Sequence, residues 1–152
     1  MSETQQAKIL SGKVVRDRTT DALIGRIKSF SSVPHLVILQ VGHLPESNAY
    51  IRSKKMLGEK LGCKVTHEVF ETNVSVETLE TKIEELNGDN GVHGIILQLP
   101  MPPSIDVYRA IEAIDPSKDV DGLTGKNVAK LWEGKVDGFI PATARGIISL
   151  DD

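Results

Sequence analysis

The chain has 152 residues, the size of one domain with room for a sizeable core. Hydrophobic residues make up 39% and charged residues 26%, a globular balance rather than the polar excess of a disordered chain. With 18 basic against 21 acidic residues, a net charge of −3 and 4% aromatics, it lacks the basic face and stacking rings of a general nucleic-acid binder.

Residues 8–30 carry Ile9, Leu10, Val14, Val15, Leu23, Ile24 and Ile27 at a spacing nearer 3.6 than 2, which predicts a helix. Ser31-Ser32-Val33-Pro34 ends it. Residues 35–42, His-Leu-Val-Ile-Leu-Gln-Val-Gly, form a nearly continuous apolar run, as expected of a strand buried on both faces of a parallel sheet. Pro45 and Ser47 open a second helix that runs to Leu61, with Gly62 as its stop signal. Residues 64–70 alternate as a strand, and residues 74–86 form an amphipathic helix closed by Asn87-Gly88. The strongest strand spans residues 92–99 and meets Pro100-Met101-Pro102-Pro103, where the missing N–H groups forbid further pairing. Helices are predicted at residues 105–113 and 127–133, with a last one opening at residues 144–150. This alternation predicts an α/β fold with helices on both faces of a mainly parallel sheet. The apolar residues 146–150 stand just before the chain stops at Asp152, so the sequence is expected to be part of a longer protein.

Ligands of open parallel sheets bind beyond the carboxyl ends of the strands. Three polar groups are predicted there. Tyr50 and Lys54, four residues apart after the first strand, share one helix face with Cβ atoms about 5–6 Å apart. Gln98 ends the third strand, and the loop Lys118-Asp119-Val120-Asp121-Gly122 adds two carboxylates. A ring platform, a proton carrier, an amide and an acid would then line one cleft. Each also has a plainer account. The Tyr50–Lys54 pair reads equally as a lysine stem covering a surface ring, and Gln98 as an amide satisfying backbone groups where the sheet ends. Ser47 reads as a helix N-cap, and Asp119 and Asp121 as turn formers, since Asp-Gly marks turns.

Other chemistries are excluded. Tyr-x-x-x-Lys also occurs in short-chain dehydrogenases, but no Gly-x-Gly-x-x-Gly precedes it, and no Gly-x-x-x-x-Gly-Lys phosphate loop occurs. His35, His43, His67 and His93 fall in different elements without zinc-ligand spacing, and Asp119-Val120-Asp121-Gly122 lacks the other ligands of a calcium loop, so no metal is expected. Glu84 and Glu85 read as a solvated helix face. Cys63 is the single cysteine, has no evident base and suits a reducing compartment. No run approaches the roughly 18 apolar residues of a membrane span, and Met-Ser-Glu-Thr-Gln-Gln-Ala does not open a signal peptide. The expectation is a cytoplasmic protein with neither nucleic acid nor membrane as partner.

Four motifs together are more specific than any one. They are Val41-Gly42 leading to Ser47-Asn48-Ala49-Tyr50-Ile51-Arg52-Ser53-Lys54-Lys55, then Gly94-Ile95-Ile96-Leu97-Gln98-Leu99-Pro100-Met101-Pro102, then Asp115-Pro116-Ser117-Lys118-Asp119-Val120-Asp121-Gly122, and Gly138-Phe139-Ile140-Pro141. In this order they resemble the N-terminal, folate-binding domain of the bifunctional methylenetetrahydrofolate dehydrogenase/methenyltetrahydrofolate cyclohydrolase family. The resemblance implies a three-layer αβα domain, like the N-terminal domain of amino-acid dehydrogenases, over residues 1–148. Residues 149–152 would start the connection to an NAD(P)-binding Rossmann domain that this chain lacks. It also implies one-carbon metabolism, serving purine synthesis: oxidation of 5,10-methylenetetrahydrofolate to the methenyl form, then hydrolysis to 10-formyltetrahydrofolate. NADP, or NAD, would serve the intact protein, a homodimer, and would not bind this chain alone.

The resemblance also assigns roles. Lys54 becomes the central catalytic residue, tuned by Gln98 and Ser47, with Tyr50 stacking on the folate rings and Asp121 anchoring the pterin. Leu99 and Pro100 join Ser47, Tyr50, Lys54, Gln98 and Asp121 as substrate-binding residues. The chemistry is coherent, because the methenyl carbon is an electrophile that water attacks and a neutral amine can take the water's proton. The family's Pro-Cys-Thr-Pro-x-Gly stretch reads Pro141-Ala142-Thr143-Ala144-Arg145-Gly146 here. Two alternatives stay open: a folate-binding paralogue without catalysis, and the N-terminal domain of another two-domain dehydrogenase.

Overall fold

A computed structural model of the chain describes residues 10–135 and 137–150. The elements are α1 (Gly12–Ile27), β1 (His35–Val41), α2 (Pro45–Leu61), β2 (Lys64–Phe70), α3 (Val76–Gly88), β3 (Gly94–Leu97), α4 (Val107–Glu112), α5 (Gly125–Trp132) and α6 (Ala142–Ile148). The alternation read from the sequence is present, and most boundaries shift by a few residues. The expected start of the first helix at Lys8 and Ile9, and the final Asp151-Asp152, lie outside the described residues.

The three strands form one parallel sheet in the order β2-β1-β3. The apolar run of β1 takes the centre, where both faces are covered, and Ile38 and Leu39 are fully buried. The chain leaves β1 through α2 over one face to reach β2, then returns through α3 over the other face to β3. Alternate side chains of β1 therefore serve different helices. Val37 and Leu39 pack with Ile83 and Leu86 of α3 and Ala110 of α4. Ile38, on the opposite face, packs with Ile51 of α2 and Ile96 of β3. Helices thus cover both faces of the sheet in three layers.

Three expectations need correction. Ser47 does not cap α2: Leu44 is the N-cap, Pro45 begins the helix, and Ser47 sits buried in its first turn. Proline suits the first helical position because that N–H has no intrahelical partner anyway. Asn87-Gly88 does not close α3 from outside but belongs to it, because the Asn87 amide donates to Ala113 O at 2.8 Å and its Oδ1 accepts from Asp115 N. Strand β3 has four residues, shorter than the expected run. Its outer edge is continued by a bridge from Ile95 to Asp119, with Ile95 N donating to Lys118 O at 2.8 Å. Gly62 does end α2, in the left-handed conformation at φ 78° that glycine adopts without strain.

Candidate active site

The order β2-β1-β3 places the topological switch point between β1 and β3, since the chain departs from β1 in one direction and returns on its other side. The groups expected at the carboxyl ends of those strands meet there. On α2, Ser47, Ile51, Lys54 and Gly58 fall on one stripe, and Ser47, Ile51 and Gly58 are buried against the sheet. Lys54 shares that stripe, and Nζ donates to Gln98 Oε1 at 3.3 Å. Its surroundings differ along its length. The lysine lines, with Leu57, Ile96 and Val120, an apolar cavity of about 330 Å³ between α2 and the sheet, while the amine meets the polar end of that face.

The orientation of Gln98 follows from the backbone. Its N–H donates to Leu39 O at 2.8 Å, which carries the strand pairing one residue past β3. The side-chain amide donates from Nε2 to Leu99 O at 2.7 Å. A carbonyl can only accept, so the NH2 must face it and Oε1 is left for the lysine. Leu99 and Pro100 follow directly, exposed at the rim and joined by a cis peptide bond.

The two carboxylates of the Asp119–Gly122 loop have separate fates, which residue type and turn pattern left open and only the resemblance divided. Asp119 is 1% exposed and accepts from Leu123 N, Thr124 N, Thr124 Oγ1 and Asn127 Nδ2 at 2.8–3.2 Å. Burial by itself raises such a carboxyl, but the donors from Asn127, Thr124 and Leu123 outweigh it and hold Asp119 below the usual carboxylate range. Asp121 is half-buried, and burial pushes its carboxyl up. The positive charge of Lys54 opposes that shift and the negative charge of Asp119 adds to it. Lys54 thus faces Gln98 by direct contact and Asp121 by charge. Tyr50, one turn before Lys54, is 68% exposed, so a face of its ring is open to a ligand.

Some polar residues were missed. Asn127 and Thr124 bind the Asp119 loop to α5. Gln40, 2% exposed, donates to Asn48 Oδ1 at 3.1 Å and pairs with His67 Nε2 at 2.8 Å, a polar chain across the same sheet face. One signal for it was legible: Gln40 is an amide inside an otherwise apolar strand, on the side chain alternation shared with Ile38. No group of three or more metal-ligating side chains gathers among the described residues.

Comparison with known proteins decides the family. Residues 10–121 match the family model described as tetrahydrofolate dehydrogenase/cyclohydrolase, catalytic domain. The chain belongs to this family. It is 42% identical over 148 residues to bifunctional protein FolD 2 of Lactobacillus johnsonii, covering 95% of this chain and 52% of that protein. It is 38% identical over 144 residues to bifunctional protein FolD of Thermus thermophilus, covering 95% and 51%. Among solved structures it resembles the FolD dehydrogenase/cyclohydrolase of Campylobacter jejuni, with a TM-score of 0.90 and 34% identity over 94% of this chain and 52% of that one. The FolD enzyme of Trypanosoma brucei, solved with NADP and an inhibitor, has a TM-score of 0.89 at 27% identity, covering 97% and 52%. The chain therefore spans about half the length of the curated relatives it matches, and the reading as an unrelated two-domain dehydrogenase falls away.

Proposed function

We propose that this chain is the folate-binding and catalytic half of a bifunctional one-carbon enzyme, with Tyr50, Lys54, Gln98 and Asp121 as its working groups. The contact of Lys54 Nζ with Gln98 Oε1 at 3.3 Å, at the switch point of the sheet, carries this reading. The whole protein would oxidise 5,10-methylenetetrahydrofolate with NADP or NAD and hydrolyse the methenyl product to 10-formyltetrahydrofolate. The residues present do not make a dinucleotide cradle, because no glycine-rich strand-to-helix turn occurs in the sequence.

The residues of this chain support the hydrolytic half. Tyr50 offers an open aromatic face for the folate ring system, and Asp121 a carboxylate for the paired N–H donors of the pterin edge. Lys54 stands where a proton must leave the attacking water and later reach the departing nitrogen. Gln98 is uncharged, so it aims the amine without stabilising the ammonium form as a carboxylate would. Ser47, buried two turns before Lys54 on the same stripe of α2, completes the polar floor, with Leu99 and Pro100 at the rim. Residues 1–148 form the catalytic domain on this reading. Ala142 and Ala144 are exposed in α6, so their departure from the family pattern leaves these groups intact.

Replacing Lys54 with Met in a protein containing both halves tests the proposal. General acid–base groups typically contribute about 10²–10⁴-fold, so cyclohydrolase turnover should fall at least a hundredfold while the circular dichroism spectrum stays that of the wild type. Unchanged turnover would exclude Lys54 as the proton carrier. Binding of 5-formyltetrahydrofolate with no turnover even in the wild type would favour a non-catalytic folate-binding paralogue.

A further inference from the structure

Asp121 lies on a loop with no regular hydrogen-bonded element of its own, so something else must hold it in place. The candidates are the residues around Asp119, which no part of the proposed chemistry uses. Asp119 Oδ2 accepts from Thr124 N at 2.9 Å, Thr124 Oγ1 at 2.8 Å and Asn127 Nδ2 at 2.9 Å, while Oδ1 accepts from Leu123 N at 3.2 Å. Asn127, itself buried, donates to Pro116 O at 2.9 Å and accepts from Phe139 N at 3.3 Å. The loop, the start of α5 and the segment at residues 138–141 are thereby tied to one another. Gly122 closes the knot at φ +67°, where a Cβ would come within 2.6 Å of Phe139 O. Asp121 sits between Asp119, two residues before it, and Gly122, so the loop is fixed on both sides of it.

We propose that Asp119 and Asn127 are positioning residues for the folate site, acting through Asp121 without touching the ligand. The proposal rests on the reading of Asp121 as a folate-contacting group. Asp119 acts in two ways. Its four accepted hydrogen bonds fix the turn, and its buried negative charge stands beside Asp121 with no cation paired to it among the described residues. Lys54 from α2 and Asp119 from the same loop are the charged groups acting on Asp121. Thr124 is the N-cap of α5 but makes no side-chain cap bond, and its hydroxyl donates to Asp119 instead.

The test is a carbon-13 carboxyl NMR titration of Asp121 in the ligand-free 152-residue chain, paired with titration of 5-formyltetrahydrofolate into the same proteins. Asp119→Asn keeps the shape, removes the charge and sets an amide against Leu123 N–H. The Asp121 midpoint should move to lower pH, because a negative neighbour has gone, and folate affinity should fall about tenfold, the scale of one or two hydrogen bonds. Thr124→Val keeps the charge but loses one donor: the midpoint should hold while affinity falls about threefold, with Thr124→Ser restoring it. A purely structural role would lower the thermal midpoint and leave the Asp121 titration where it was. A folded Asp119→Asn with wild-type affinity and an unmoved midpoint overturns the proposal. If that variant does not fold, Thr124→Val binding as tightly as Thr124→Ser overturns it. A wild type that binds no folate, with the midpoint shifting as expected, overturns the folate reading and upholds the action of Asp119 on Asp121.

Discussion

On the face of the sheet turned to α3 and α4, Val37, Leu39 and Val41 of β1 and Ile95 and Leu97 of β3 are apolar from end to end. The face under α2 begins the same way, with Leu36, Ile38 and Ile96, then turns polar at Gln40 and Gln98, each one position past the last paired residues Leu39 and Leu97. One backbone serves both. The first face can be fully apolar because its helices have nothing to do but exclude water. The second gives up its last layer of apolar packing at the carboxyl ends of β1 and β3, where Lys54 and Ser47 come down from α2. Buried amides there are tolerated because each finds a partner: Gln40 with Asn48 and His67, Gln98 with Lys54 and Leu99.

This contrast can be broken from either side. Leu39→Ala, in the fully buried apolar face, should cost about 2–5 kcal/mol of unfolding free energy through lost transfer and a residual cavity, read by urea denaturation. Molecules still folded should bind folate as the wild type does; a loss of affinity in the folded fraction would mean that the two faces are coupled. Gln98→Leu attacks the other face. It frees Lys54 and removes a donor from Leu99 O, so stability should change by about 1 kcal/mol while cyclohydrolase turnover of the two-domain protein falls about tenfold or more. Stability falling as far as for Leu39→Ala, with turnover intact, would reduce Gln98 to a packing residue. Tyr50→Ala is the mildest. At 68% exposure the ring contributes little to folding, and the thermal midpoint should barely move. Losing an aromatic stacking contact should weaken 5-formyltetrahydrofolate about three- to tenfold by calorimetry, and unchanged affinity would leave the phenol without a role in binding.

Hydrophobic patterning carried β1 and β2 almost to the residue, because a buried parallel strand leaves a continuous run such as residues 35–41, and Pro45 and Gly62 bounded α2, but β3 came out half as long as its apolar run. It served α1 less well. That helix fully buries only Thr20 among its described residues and leaves Val14 66% exposed, while Val15, Leu23, Ile24 and Ile27 are only half-buried, so its apolar residues mark a shallow stripe. The Tyr50–Lys54 pair was legible because helical spacing is a local property. The partnership of Lys54 with Gln98 was expected only from the strand-end rule and the family motifs, since 44 residues separate them and only the sheet brings them together.

The amino-acid order alone determined the alternation of helix and strand, the carboxyl-end location of the polar groups, and the motifs that mark the family. All of these are set by short-range geometry and by which residues water expels. The family motif singled out Asp121, but only tertiary structure showed how the two aspartates of one loop differ physically. Asp119 and Asp121 are chemically identical and two positions apart, but one is enclosed by four donors and the other faces a lysine from a distant helix. A carboxylate's role is set by the donors and charges packed around it, and those arrive from α2, α5 and the chain beyond.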